Sequence, residues 1–217
     1  MENTSSLLIY VFIGIHVLFS MVGFENKSFF DNYKFNINAL RNKEYYRLIT
    51  SGLLHADLSH LLFNMYTLYI FAPIVTHYFG DISFLVMYMF SLIASGIFSY
   101  YIHQKELYYS AIGASGAVSG ILYAAILIYP EMSLYLFFIP IPIPAYLFAV
   151  GYLLYSIYGM KKNIGNVGHD AHFAGAVSGL LIAAFFSPQL VLNRPFLVGF
   201  LLFPIIGYAI YEKMLKK

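Results

Sequence analysis

Seven apolar runs, near residues 6–23, 56–79, 82–102, 111–129, 143–159, 170–187 and 196–211, constrain this 217-residue chain more than anything else in it. Each is close to the roughly 17 to 25 helical residues needed to cross hydrocarbon. A backbone in lipid must satisfy its own N–H and C=O groups, so runs of this length are expected as membrane-spanning helices. The first follows MENTSS, which lacks a basic n-region, and it is too long for the apolar core of a signal peptide; it reads as a membrane helix. The last is interrupted by Pro204 and Gly207, which a span tolerates when its neighbours satisfy the freed carbonyl. No internal repeat or low-complexity tract divides the chain, so residues 1–217 read as a single membrane domain.

Composition agrees and narrows the chemistry. Hydrophobic residues make up 60% of the chain and charged ones 10%, far from the balance of a soluble domain. With no cysteine, disulfides, thiolate metal sites and a thiol nucleophile are excluded. A formal charge of +2, thinly scattered, speaks against nucleic acid as a partner. Tryptophan is absent, so the 21 Tyr and 21 Phe must supply the interfacial aromatic belts.

Most connections are short and force antiparallel neighbours. The stretch from Phe24 to Leu54 is not short, and it mixes aromatic and charged residues in a way that suits a segment lying in the interface. Because successive helices alternate in direction, the second, fourth and sixth spans begin on one side of the membrane. Those three beginnings hold His55, His60 and Asn64, then Ser115, then His172. Polar groups inside a membrane are costly unless paired or hydrated, so such convergence points to a functional site. On the fourth span Gly113, Gly116, Ala117 and Gly120 recur at i, i+3, i+4 and i+7, a stripe along which another helix can approach closely. His172, Gly175 and Gly179 on the sixth repeat the spacing i, i+3, i+7. Two such faces, packed together, would carry Ser115 and His172 in from the same side. For Ser119 the ordinary fate is a hydroxyl bonded back to the carbonyl one turn earlier.

Three motifs, GASG at 113–116, H-x4-H-x3-N at His55, His60 and Asn64, and AHFAGAVSG at 171–179, resemble the signature motifs of the rhomboid family of intramembrane serine proteases. They stand in the family's order on the corresponding spans, and IPIPIPAYLFAV at 139–150 resembles the family's approach to its fifth helix. The resemblance covers about residues 6–187 and implies an all-α polytopic bundle of six core transmembrane helices, with 196–211 as an added seventh at the C-terminus. It implies an endopeptidase that cuts transmembrane protein substrates in or near their spans, within the lipid bilayer of a cell membrane, without a cofactor or metal. Ser115 would be the nucleophile and His172 its general base, a dyad without an acidic third member. His60 and Asn64, with the Ser115 N–H, would stabilise the oxyanion; at i, i+4 they lie about 40° apart on a helix and can point at one place. His55, about 140° away, is expected to shape the start of that helix.

Two positions depart from the family pattern. Many members carry, four residues past the nucleophile, an aromatic that stacks on the catalytic histidine; Ser119 stands there, leaving Tyr123 or Phe173 as candidates to hold His172. The Trp-Arg pair of many relatives' first loop is matched by Tyr46-Arg47. Asp170 is expected to cap the sixth helix. His16, His77 and His103 are expected at the interface. No H-E-x-x-H occurs, and His55, His60, His169 and His172 fit no such ligand motif, so a metal centre is not expected. Of the 12 Lys and Arg, about 11 fall on the side of the first loop and only Arg194 opposite. The positive-inside rule then turns the site towards the cytoplasm, whereas bacterial relatives usually open it outward, and the sidedness stays open. The reading of a different class is a non-catalytic client-binding protein or transporter on the same fold.

Overall fold

A computed structural model describes residues 7–135, 141–162, 164–165 and 167–215. Residue 6 of the first run, residues 139 and 140 ahead of the fifth span, and Lys216 and Lys217 of the charge tally lie outside the described residues. Among the described residues, five helices are long and apolar enough to cross a membrane. They are α1 (Leu7–Glu25), α5 (Leu58–Phe79), α6 (Asp81–His103), α9 (His169–Phe186) and α11 (Pro195–Leu215). Pro73 and Pro204 lie inside α5 and α11. The remaining two expected spans differ from the others. Helix α8 (Ala145–Lys162) has 18 residues but ends on Lys161 and Lys162 and is less apolar. Helix α7 (Ser115–Ile128) has 14 residues, about 21 Å of helix against about 30 Å of hydrocarbon.

Helix α7 begins at Ser115 rather than at 111 because the chain before it is tied elsewhere. Strand β1 (Phe35–Asn36) pairs antiparallel with β2 (Ser110–Ala111), Phe35 opposite Ala111. Gly113 then turns at φ 115°, a conformation that suits glycine. From Gly116 to Ile128 every residue of α7 is buried, so this helix is the axis around which α5, α6 and α9 pack.

Close approach on one side of α7 is made by glycine. A Cβ on Gly175 would fall on the Gly116 carbonyl, and one on Gly179 on that of Gly120. Without a hydrophobic difference between lipid and side chain, this backbone-to-backbone van der Waals contact is a main source of helix association in a membrane. Helix α6 meets the same region with small polar residues: Ser95 donates to the Ser91 carbonyl at 2.7 Å and to the Ala171 carbonyl of α9 at 2.9 Å.

The first loop has structure of its own. It contains α2 (Lys27–Tyr33), α3 (Ile37–Arg41), α4 (Arg47–Thr50) and a 3-10 turn at Ser51–Leu53. Phe35, Ile37 and Leu40 form a small core under it. Arg47 is buried, donates to the carbonyls of Asp31 and Lys34 at 2.8 Å each, and pairs with Glu44 at 2.7 Å. A buried guanidinium satisfied this way locks the loop's two halves together. The Arg47 bond first, and then that from Tyr46, holds the Glu44 carboxyl below its ordinary range.

At the far end of α7, Arg194 donates to the carbonyls of Leu127 and Ile128 at 3.2 and 2.9 Å and so serves as a C-terminal cap. Helix α10 (Pro188–Leu192) leads into α11, which packs on α8, with Lys161 over the Tyr211 ring at 3.1 Å.

If the glycine contact holds α7 and α9 together, Gly175→Ala and Gly179→Ala should each lower stability by about 1–3 kcal/mol or more. Gly151→Ala on α8, where a Cβ meets nothing within 4 Å, should not. Thermal unfolding of the detergent-solubilised variants checks this.

Candidate active site

The residues ahead of α7 and α5 form one hydrogen-bonded unit. The Gly113 N–H donates to the Ser51 carbonyl at 3.0 Å. The Ala114 N–H donates to His55 Nε2 at 3.5 Å, so His55 carries its proton on Nδ1 and gives it to Ser20 Oγ at 2.9 Å; Ser20 in turn donates to the Leu53 carbonyl at 3.0 Å. His55 is thus a neutral imidazole that ties α1 to the backbone of the GASG turn. His16, expected at the interface, is instead fully buried behind it, donating to the Phe12 carbonyl and accepting from Tyr88, both at 2.8 Å. Its partner comes from α6, which sequence position alone does not reveal.

Asp57 caps α5 by accepting from the His60 N–H at 2.8 Å. The Ala56 N–H reaches His60 Nδ1 at 3.4 Å, which leaves the proton of His60 on Nε2. That nitrogen faces the GASG turn: a Cβ built on Gly113 would stand 2.8 Å from it and 3.8 Å from Ser115 Oγ. Asn64, one turn deeper and buried, donates to the His60 carbonyl at 2.9 Å. Ala114 at the N-cap of α7 offers no side-chain acceptor, so the first N–H groups of α7, that of Ser115 foremost, have no helical partner.

His172 enters from α9, whose cap is Gly168. Gly116 sits beside the Ala171 carbonyl, a Cβ there standing 3.2 Å from it, so Ser115 and His172 each adjoin a residue of the glycine contact. Ser115, His172 and His60 are half-buried, while the rest of α7 is closed. His60 lies within electrostatic reach of His172. Among the described residues no hydrogen bond joins the Ser115 hydroxyl to the His172 ring; such bonds are often long in an empty site and tighten on substrate. Nor is there, among the described residues, a group of three or more His, Cys, Asp and Glu that could hold a metal ion.

Three expectations about neighbours are corrected. Asp170 makes no capping bond; it is buried and turned towards His103, Oδ2 to Nε2 3.6 Å, and His103 itself stacks on Tyr109 with ring centroids 3.6 Å apart. Ser119 does not bond back along its helix, because its hydroxyl lies 3.2 Å from the Tyr152 hydroxyl of α8. Neither Tyr123 nor Phe173 holds His172: Tyr123 donates to the Ala149 carbonyl, and Phe173 packs on Phe98 and Tyr208. The ring lying along His172 is Tyr152, with centroids 5.9 Å apart and planes 20° apart.

The family model of the Rhomboid domain matches residues 42–189, which contain all of these groups on α5, α7 and α9. The chain belongs to the rhomboid family. It is 27% identical over 179 residues to RHOMBOID-like protein 12, mitochondrial, of Arabidopsis thaliana, covering 75% of this chain and 52% of that one. It is 42% identical over 80 residues to the "Putative rhomboid protease YdcA" of Bacillus subtilis, 37% of this chain and 39% of that protein. With Rhomboid protein 1, mitochondrial, of Saccharomyces cerevisiae it shares 27% identity over 150 residues, 68% of this chain and 43% of that one. This rhomboid spans about half the length, or less, of these curated relatives.

His55 lies in the turn before α5, where burial first, and then the neighbouring His60 and His16, push its ring from the ordinary 6.5 down to about 3. The unfolded chain binds that proton more readily, so the stability contributed by neutral His55 is complete above about pH 6.5 and falls as pH drops from there towards about 3. Unfolding followed against pH should show this decline, and His55→Ala, less stable at neutral pH, should show a flatter one.

Proposed function

We propose that this rhomboid is an intramembrane serine endopeptidase acting through Ser115 and His172. The observation that carries the reading is the start of α7. There half-buried Ser115 begins a helix without a side-chain cap, His172 follows the Ala171 carbonyl that packs on Gly116, and the His60 ring lies against Gly113.

In acylation, His172 takes the proton from Ser115 Oγ as the oxygen attacks the scissile carbonyl. The negative charge moves to the carbonyl oxygen, where the Ser115 N–H, the His60 Nε2–H and the Asn64 amide would donate. The imidazolium then returns the proton to the departing amine, leaving the acyl group on Ser115. A water molecule repeats the sequence, giving its proton to His172 and releasing the acid. The half-buried side chains leave water a route to the ester. Asp170 takes no part in this exchange, since its carboxylate turns to His103 rather than to the His172 ring. The substrate is a transmembrane protein whose helix must open locally at the cut, because helical carbonyls are engaged in backbone bonds; small or helix-breaking residues there lower that cost.

Labelling of the purified chain with a fluorophosphonate, with mapping of the adduct, and cleavage of a fluorescent transmembrane substrate in proteoliposomes test this. The expected adduct is on Ser115, with no cleavage by Ser115→Ala or His172→Ala. His60→Ala and Asn64→Ala should lose about 10²- to 10³-fold in kcat. Cleavage surviving in Ser115→Ala overturns the assignment, and client binding without cleavage by the parent chain favours the non-catalytic reading.

A further inference from the structure

A histidine that works as a general base needs its ring held, and the backbone does not do this. Rotation of an imidazole about its last side-chain torsion is broad and roughly two-fold. In a Ser-His-Asp unit a carboxylate fixes it by hydrogen bonding. Here, among the described residues, neither ring nitrogen of His172 has a hydrogen-bond partner, and the neighbouring Asp170 turns its Oδ2 towards His103, 3.6 Å from Nε2 and without a hydrogen bond. What the ring has is a face contact. Tyr152 lies nearly parallel to it at 5.9 Å, while His169 meets it edge-on at 6.5 Å.

Tyr152 is itself held at both ends. Its hydroxyl lies 3.2 Å from Ser119 Oγ, and Ser119 is buried on α7 one turn below the proposed nucleophile. Its ring also stacks on Phe148, one turn earlier on α8, with centroids 5.8 Å apart and planes 18° apart. Phe148, Tyr152 and His172 therefore form a row of three nearly parallel rings crossing from α8 to α9. The Tyr123 hydroxyl bonding to the Ala149 carbonyl anchors α8 to α7 beside this row.

We propose that Tyr152 is the positioning residue of His172: its ring, stacked on Phe148, fixes the plane of the imidazole, and Ser119 serves only to satisfy its hydroxyl. This rests on the dyad reading above. Ser119 leaves room on α7 for the tyrosine of α8 and supplies the polar partner that a half-buried phenol needs. Tyr152 touches neither substrate nor the reacting atoms, so its removal should slow turnover without weakening substrate binding.

The test compares Tyr152→Leu, which keeps apolar volume but has no ring, with Tyr152→Phe, which keeps the ring and loses only the Ser119 partner. Fluorophosphonate labelling, kcat, KM and thermal unfolding are measured for each in proteoliposomes. Expected for Tyr152→Leu is a kcat lower by about 10- to 100-fold, the scale of a modest misplacement of a catalytic group, with KM within about twofold and labelling of Ser115 slowed in step. Tyr152→Phe should stay within about threefold of the parent. A folded Tyr152→Leu with parental kcat, or Leu and Phe variants equally impaired, overturns the proposal. Should Tyr152→Leu not be recovered folded, the His172 ring resonances of the parent decide. Ring protons shifted upfield by the stack support the positioning role, and unshifted ones overturn it. Failure of the dyad reading has a different signature: no adduct on Ser115 in the parent chain, or cleavage surviving in Ser115→Ala.

Discussion

The contact of Gly116 and Gly120 with Gly175 and Gly179 is the constraint on which the rest of the molecule depends. Backbone carbonyls of α7 lie where side chains of α9 would otherwise be, so the two helices can neither slide nor rotate past each other without losing their fit. That register sets Gly116, next to Ser115, against Ala171, next to His172. Position in the third direction comes from outside the pair. The β1–β2 pairing and the Gly113–Ser51 bond tie the start of α7 to the first loop, and His55 ties it to α1.

Several polar groups of this bundle serve backbone carbonyls. Arg47 serves the carbonyls of the first loop, Arg194 those at the end of α7, Ser95 a carbonyl of α9 and His16 a carbonyl of its own helix. In a medium without water each such bond removes the cost of a bare donor or acceptor. Against that background the start of α7, where no side chain caps the helix, stands out.

Much of the architecture was legible because lipid imposes a simple rule on sequence. Runs near 6–23, 56–79, 82–102, 170–187 and 196–211 became spans almost residue for residue, and the small-residue spacing on the fourth and sixth runs marked the faces that meet. The start of α7 was not legible in that way. Residues 111–114 are as apolar as a helix, and only Gly113 marks where strand pairing and a left-handed turn displace it. His16, Asp170 and Ser119 were misread for a common reason: each takes its partner from another helix, Tyr88, His103 and Tyr152 respectively, and periodicity within one segment carries no information about that. The spacing of His60 and Asn64 did imply a shared face. The proton on His60 Nε2 depends on the turn at Ala56, which only coordinates reveal.

The shortness of α7 has a consequence for the bilayer as a barrier. A polar group brought into hydrocarbon risks opening a leak for ions and protons. Helix α7 starts at a half-buried serine, but beyond it all of its residues are enclosed and its last carbonyls are covered by Arg194. Along its length this helix thus bares no polar backbone to lipid, the condition under which electrochemical gradients across a bilayer are preserved.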